Sequence, residues 1–478
     1  MITKIIVITL YALMVVAIGV IGLRRTKSSR DFLLGGGNVG PWMSAFSYGT
    51  AYFSAVLFIG FAGKIGWAFG YSGLWIAFLN AFLGVTVVWL LLGWRIKQAS
   101  IRLNVSTISE FLESRYQSPT LKLISAMVIF IFLIPYSAAV FMGLSYLFEI
   151  SLGVSYVYVL IAMGIFTATY IILGGYKSMA MIDMIFGLIM TFSVLLLLYF
   201  TVEKGGGFVN ITESLRAIEP KLVAWVGPPG WWPLFALVFL TSIAPFAMPQ
   251  LVQKFYAIRD RRSVRIGAVA STFFAVLICV IAYYMGSTTR VFITAESAPA
   301  IFTNGIPNFD KLMPELLTNV IPASISVVIL LLILSASMST LASLVLISSS
   351  SFTKDFWGGF INKKMSDKST TTMMRFMSGF FVLIAVLFAA IELDVIVEIL
   401  GISWGAMGSF FLGPFLWGLL SKRMTRTGAY VSGIAGLAIC LGLYFYGMSS
   451  PEAGTIGMLS SLVLNPLMSL FGKPEPQS

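Results

Sequence analysis

Apolar stretches of about twenty residues recur along the whole of this chain, from 5–23 near one end to 454–472 near the other. A helix rising ~1.5 Å per residue needs about that length to cross a bilayer core of ~30 Å. Backbone groups in hydrocarbon must satisfy one another, which leaves helices or a closed barrel. The stretches here are continuous rather than alternating, so they read as helices, and thirteen are expected. Charged residues make up only 10% of the chain, against roughly 25% in a soluble domain. The sequence therefore specifies an all-α polytopic membrane protein. Its first apolar run carries no small-residue cleavage site before Arg24 and Arg25, so it reads as a retained span.

A net charge of +12 does not point to nucleic acid, because Lys and Arg lie in short clusters between spans rather than on one face. Those clusters set the orientation. With the N-terminus outside, RRTKSSR (24–30), WRIKQASIR (94–102), KFYAIRDRRSVR (254–265), NKKMSDK (362–368) and SKRMTR (421–426) all fall inside, as the positive-inside rule asks. The C-terminus is then inside as well. The chain has no histidine, and its two cysteines, Cys279 and Cys440, lie within apolar segments. Zinc, haem, a Ser-His-Asp triad and a disulfide framework are poorly supported, and no enzyme is expected.

Three spans are irregular. The second contains SAFSYGTAYFSA (44–55), with Gly49 and Thr50 interrupting it. The seventh, FLTSIAPFAMPQLVQ (239–253), has Pro245 and Pro249 in mid-segment, and the eleventh, EILGISWGAMGSFFLGP (398–414), holds four glycines. Interrupted helices free backbone carbonyls that then need partners. The second and seventh lie five spans apart, the spacing of two inverted repeats, and such paired breaks point to a transporter's midplane site. Between spans, STISEFLESRY (106–116) is amphipathic, with Ser106 or Ser109 expected to cap it along the cytoplasmic surface.

The span 319–350 and its continuation carry SASMSTLASLVLISSSS (335–351), nine hydroxyls in a membrane-grade helix. Ala336, Ser339, Thr340 and Ser343 share one face at helical spacing. Two hydroxyls together with carbonyls freed by a helix break offer the neutral oxygens that a hard monovalent cation wants. The plainer alternative is that each hydroxyl bonds back to its own helix or glues helices together. Asp183, in GGYKSMAMIDMIFGLIM (174–190), is a carboxylate inside a span and marks an ion or proton path, unless it pairs with Lys177 at the interface.

GGGNVGPWMSAFSYGTAYFSA (35–55), TISEFLESRY (107–116), GGYKSMAMID (174–183) and SASMSTLASLVLISSSSFTKDF (335–356), in this order, resemble the sodium/solute symporter family. That family includes the sodium/proline, sodium/galactose and sodium/sialic acid symporters. The resemblance spans 1–478 as one transporter unit and implies a LeuT-like fold. A preceding helix at about 5–23 is followed by five-helix repeats at 41–202 and 231–420 and two helices at 427–472. It implies sodium as the coupling ion and solute uptake by alternating access. The main sodium site matches the carbonyls of Thr50, Phe53 and Ala336 and the hydroxyls of Ser339 and Thr340. A second sodium or release site matches Asp183, Ser339 and Ser343, although Ala342 stands where another hydroxyl is expected.

The solute pocket expected from this resemblance comprises Tyr52, Ser54, Tyr136, Thr241, Ser242, Met248, Gln250 and Trp404. Residues 40–94 contain no Asp, Glu or Gln, and Leu57 stands where the galactose carrier has Gln, so a small amino acid or short monocarboxylate is favoured. A sugar or sialic acid symporter, or a proton-coupled carrier using Asp183, are the alternatives. A passive channel would need a continuous polar lining, whereas the polar groups here cluster at one depth. The expected partners are sodium, a small solute and the lipid bilayer, with no nucleic acid. The expected form is a functional monomer in a plasma membrane of the bacterial inner-membrane type.

Overall fold

The computed structural model describes residues 2–322 and 326–472. Helices account for nearly all of them, and the only strands among the described residues are a two-residue antiparallel pair, Phe302–Thr303 with Ile306–Pro307. Residues 323–325 of the expected 319–350 span lie outside the described residues. Apart from the short helix Ser29–Leu34, the helices in chain order are α1 (Ile2–Arg25), α2 (Pro41–Tyr52), α3 (56–69), α4 (74–103), α5 (Ile108–Tyr116), α6 (Pro119–Leu152), α7 (Tyr156–Leu173), α8 (Tyr176–Lys204) and α9 (Phe208–Ile218). There follow α10 (Trp231–Ile243), α11 (Pro249–Ala257), α12 (Arg261–Phe292), α13 (Phe309–Val320), α14 (Ser326–Ile361), α15 (Asp367–Ala389), α16 (Ile396–Leu420), α17 (Arg426–Phe445) and α18 (Ser450–Ser469).

Eleven helical stretches among the described residues are long and apolar enough to cross a membrane. One of them, Val56–Leu103, has 48 residues. Straight, it would run roughly 72 Å, more than twice the hydrocarbon thickness. It turns instead at Gly70–Gly73, where Gly70 has φ +57° and a Cβ there would lie 2.2 Å from the Leu222 carbonyl oxygen. The stretch is thus the pair α3 and α4. α18 is a full helix of 20 residues but is more polar.

Burial sorts these helices into an inner and an outer set. The most apolar stretches of α14 and α16 are 89% buried, whereas that of α1 is 22% buried. The outward faces of α1, α7, α8 and α15 expose Leu10, Ile165, Leu188 and Phe376, as lipid-facing helices do.

Both anticipated spans are broken, but the first not at Gly49 and Thr50, which stay helical; Gly49 serves packing, since a Cβ there would lie 2.5 Å from the Phe274 ring. α2 ends at Tyr52, Phe53 is extended (φ −108°, ψ 103°), and the wide π-type turns Val56–Phe61 begin α3. α10 ends at Ile243, a short 3₁₀ turn covers Ala244–Phe246, and Pro249 opens α11 at a position where its missing N–H costs nothing. The eleventh span behaves differently, because α16 runs unbroken from Ile396 to Phe411. Its glycines serve close packing instead. A Cβ on Gly405 would lie 2.7 Å from Gly454 Cα, and one on Gly401 2.1 Å from Ser450 Oγ, so α18 presses directly against this face.

A further correction concerns the amphipathic helix. Neither Ser106 nor Ser109 caps α5. Thr107 does, accepting the Glu110 N–H at 3.1 Å, while Glu110 accepts the Ser106 N–H at 2.8 Å. Thr107 also donates to Asp355 at 2.9 Å, and Lys354 pairs with Glu110 at 2.7 Å. These contacts fasten α5 to the far end of α14.

Candidate cation and solute site

The break between α2 and α3 lies against the middle of α14. Thr340 Oγ is 3.1 Å from the Ala336 carbonyl oxygen on its own helix, and 3.2 and 3.3 Å from those of Thr50 and Ala51 across the gap. Ser339 Oγ donates to Thr50 Oγ at 2.8 Å, and Thr50 Oγ donates to the Phe46 carbonyl at 2.7 Å. Four of the five oxygen donors expected at the main cation site therefore converge: Thr50, Ala336, Ser339 and Thr340. Phe53, the fifth, is buried at the break itself. The set is neutral, and it pairs hydroxyls with carbonyls released by an interrupted helix. That donor chemistry fits a monovalent cation stripped of water.

Beside it lies a small cavity. Of the expected solute residues, Tyr52, Ser54, Tyr136, Thr241 and Trp404 line it. Ser242 sits one layer back and donates to Asn80 Oδ1 at 2.7 Å, and Asn80 is in the wall. Met248 and Gln250 are buried at the start of α11 and do not line the cavity. Its aromatic frame is tight: Tyr52 stacks on Trp404 with centroids 5.8 Å apart, and Tyr136 meets Trp404 edge-on at 5.8 Å. Tyr52 is fixed by donating its hydroxyl to the Thr241 carbonyl at 2.5 Å. Trp404 Nε1 is buried in this wall, with the Tyr136 hydroxyl as its neighbour. No lining residue is charged. Phe53, Val56, Leu57, Phe61, Tyr283 and Leu400 complete the wall; apart from Phe53 and Leu57, these are ordinary apolar residues on three helices that give a sequence reading nothing by which to select them.

Residues 32–436 match the model of the sodium:solute symporter family. The chain belongs to the sodium:solute symporter family. The sodium/proline symporter of Salmonella typhimurium is 28% identical over 482 residues, covering 97% of this chain and 92% of that protein. The sodium/pantothenate symporter of Escherichia coli is 25% identical over 491 residues, covering 98% and 96%. Among solved structures, a Na⁺-coupled sialic acid symporter in a substrate-bound outward-open state matches with a TM-score of 0.83 at 20% identity, over 99% of this chain and 98% of that one. Mhp1, a nucleobase-cation-symport-1 family transporter, matches with a TM-score of 0.53 at 14% identity, covering 90% and 92%. The fold is thus the LeuT-like transporter fold, the activity is sodium-coupled solute symport, and the setting is a multi-pass plasma membrane.

In this symporter Asp183 is fully buried, and its partner is not Lys177. Its Oδ2 accepts from Ser47 Oγ at 2.5 Å and lies 3.9 Å from Lys254 Nζ, and the Ser339 hydroxyl is a further neighbour of the carboxylate. Lys254 is itself 0% exposed. It donates to Ser343 Oγ at 2.9 Å and Ser47 Oγ at 3.0 Å, and sits 5.1 Å above the Tyr176 ring. Sequence reasoning counted Lys254 among the cytoplasmic loop charges. The available signal was its place six residues into the α11 helix that Pro249 opens, too early for a loop.

Proposed function

We propose that this chain takes up a small amino acid or short monocarboxylate with sodium, by alternating access around the cation site and the neighbouring cavity. The observation carrying this reading is the convergence of Thr340 Oγ on three carbonyls at the helix break. Sodium is held by the carbonyls of Thr50, Phe53 and Ala336 and the hydroxyls of Ser339 and Thr340. Because Thr50 and Phe53 belong to the break and Tyr52, Phe53 and Ser54 also line the cavity, sodium there orders the wall that receives the solute. Coupling follows, since each ligand lowers the ordering cost for the other.

The cavity's chemistry supports the solute class. The positive end of α3 begins at the cavity, with Val56 and Leu57 in the wall. A helix N-terminus favours a carboxylate, and Trp404 Nε1 offers a further donor. The aromatic frame suits a compact apolar body. A sugar would call for carboxylate or amide acceptors, and only Asn80 among the lining residues provides one.

Thirteen helices cross the membrane in this reading: the eleven apolar stretches with Val56–Leu103 counted as two, and α18. α2 joins α3 in one crossing, as α10 joins α11. Repeats of five helices at 41–202 and 231–420 are inverted relative to each other, and the termini lie outside and inside respectively, with one chain forming the whole path. The test is thermal stability of the purified protein with a panel of amino acids and monocarboxylates, in sodium and in potassium. A ligand that stabilises only in sodium, and drives uptake into proteoliposomes under a sodium gradient, supports the reading. Equal shifts in both salts would sink it.

A further inference from the structure

We propose that the Lys254 ammonium occupies the second cation position, so that this chain supplies that cation from a side chain and moves a single sodium per cycle. The inference rests on the main-site reading above and adds the ion count to it. Of the three residues that the family resemblance places at a second sodium, two are direct partners of Lys254: Ser343 Oγ at 2.9 Å and Asp183 Oδ2 at 3.9 Å. The third, Ser339, turns its hydroxyl to Thr50 at 2.8 Å and gives its carbonyl to the Ser343 hydroxyl at 3.2 Å. Ala342 adds no oxygen.

The physical case has two parts. A carboxylate buried in a span needs a compensating charge, and Lys254 is the cation within ion-pair reach of Asp183. An ion bound by Asp183 and Ser343 would then lie at contact distance from Nζ, and two like charges that close in a weakly screening interior repel strongly. Sodium and the ammonium therefore exclude each other. The lysine also differs from an ion in what it does next. Its stem is anchored on α11, beyond the second helix break, while its head reaches Ser47 on α2, Asp183 on α8 and Ser343 on α14. It ties both interrupted helices to the hydroxyl helix and cannot leave toward the cytoplasm.

The count of bound ²²Na⁺ by equilibrium dialysis tests this on the full-length protein. Wild type is expected to bind one sodium per chain, and Thr340→Ala to weaken that binding about tenfold or more. Lys254→Met is expected to bind two, with the Hill coefficient of the sodium-dependent stability shift rising from near 1 toward 2. The charge-neutral double variant Asp183→Asn/Lys254→Met, which leaves no buried charge unpaired, is expected to return to one. Two sodium ions on wild type would overturn the proposal even if the single lysine variant fails to fold, as would one sodium on a folded Lys254→Met. No sodium on wild type would instead remove the main site, and this inference with it.

Discussion

Six of the nine hydroxyls from Ser335 to Ser351 divide into two groups by partner. Ser337, Ser349 and Ser350 bond to carbonyls of their own helix, whereas Ser339, Thr340 and Ser343 meet α2 or Lys254. The first group follows the common habit of serine in a membrane helix, and the second stands at the break. Thr340→Ala is therefore expected to raise the sodium concentration for half-maximal uptake by about tenfold or more, some 1.4 kcal/mol. Ser337→Ala, one turn away in the same helix, should leave the sodium dependence unchanged. Parallel sodium titrations of uptake decide between a site effect and general damage. Trp404→Phe keeps an aromatic ring against Tyr52 but removes the buried Nε1 donor. Its expected signature is a solute KM raised about tenfold, near the low end for a hydrogen bond to a charged group, with sodium affinity unmoved.

Elements show which parts of this fold were legible in the chain. The second helix break could be read from sequence because Pro245 and Pro249 act on their own backbone, whereas Gly49 marked the first only approximately: it is helical, packs against Phe274, and the break follows at Phe53. The glycines of 398–414 looked like a third break, yet their reason is α18, some fifty residues onward and invisible to local reading. The place of Lys254 inside a helix was legible from Pro249, but its partners were not, since they come from α2, α8 and α14. The α5 cap shows a finer failure, since Ser106, Thr107 and Ser109 are chemically equivalent candidates and the choice depends on where Asp355 lies. Thr107→Val tests that junction. Losing the cap costs about 1 kcal/mol, and leaving the buried Asp355 without its hydroxyl donor costs about 1–3 more. A melting temperature within a degree of the parent would show that the α5–α14 fastening contributes nothing.

At the scale of the whole molecule, the loop helix α13 joins parts of both proposed repeats. Asp310 accepts the Ile396 N–H, at the first residue of α16, at 2.9 Å. A Cβ on Gly63 of α3 would come within 2.9 Å of the Phe309 carbonyl oxygen, and Lys311 pairs with Glu149 of α6 at 3.0 Å. Burial pushes the Asp310 carboxyl up to about 7, against the pull of the Ile396 N–H and Lys64 and with a further push from Asp394 and Glu392. Its unfolded value lies near 3.8. Between these two values the folded protein holds the proton that the unfolded chain has lost. The contribution of this group to stability is therefore fully present below about pH 4, declines as pH rises toward 7, and stays at its low level above that. Asp310→Asn keeps an oxygen for the Ile396 N–H and removes the charge. The variant is expected to melt higher than the parent at pH 8, to match it near pH 4, and to show a flatter stability profile between. Thermal melts of both proteins across that range check the sign: a variant that retains the parent's slope would mean that Asp310 carries no proton when folded, and that α13 is held down by its ion pairs and packing alone.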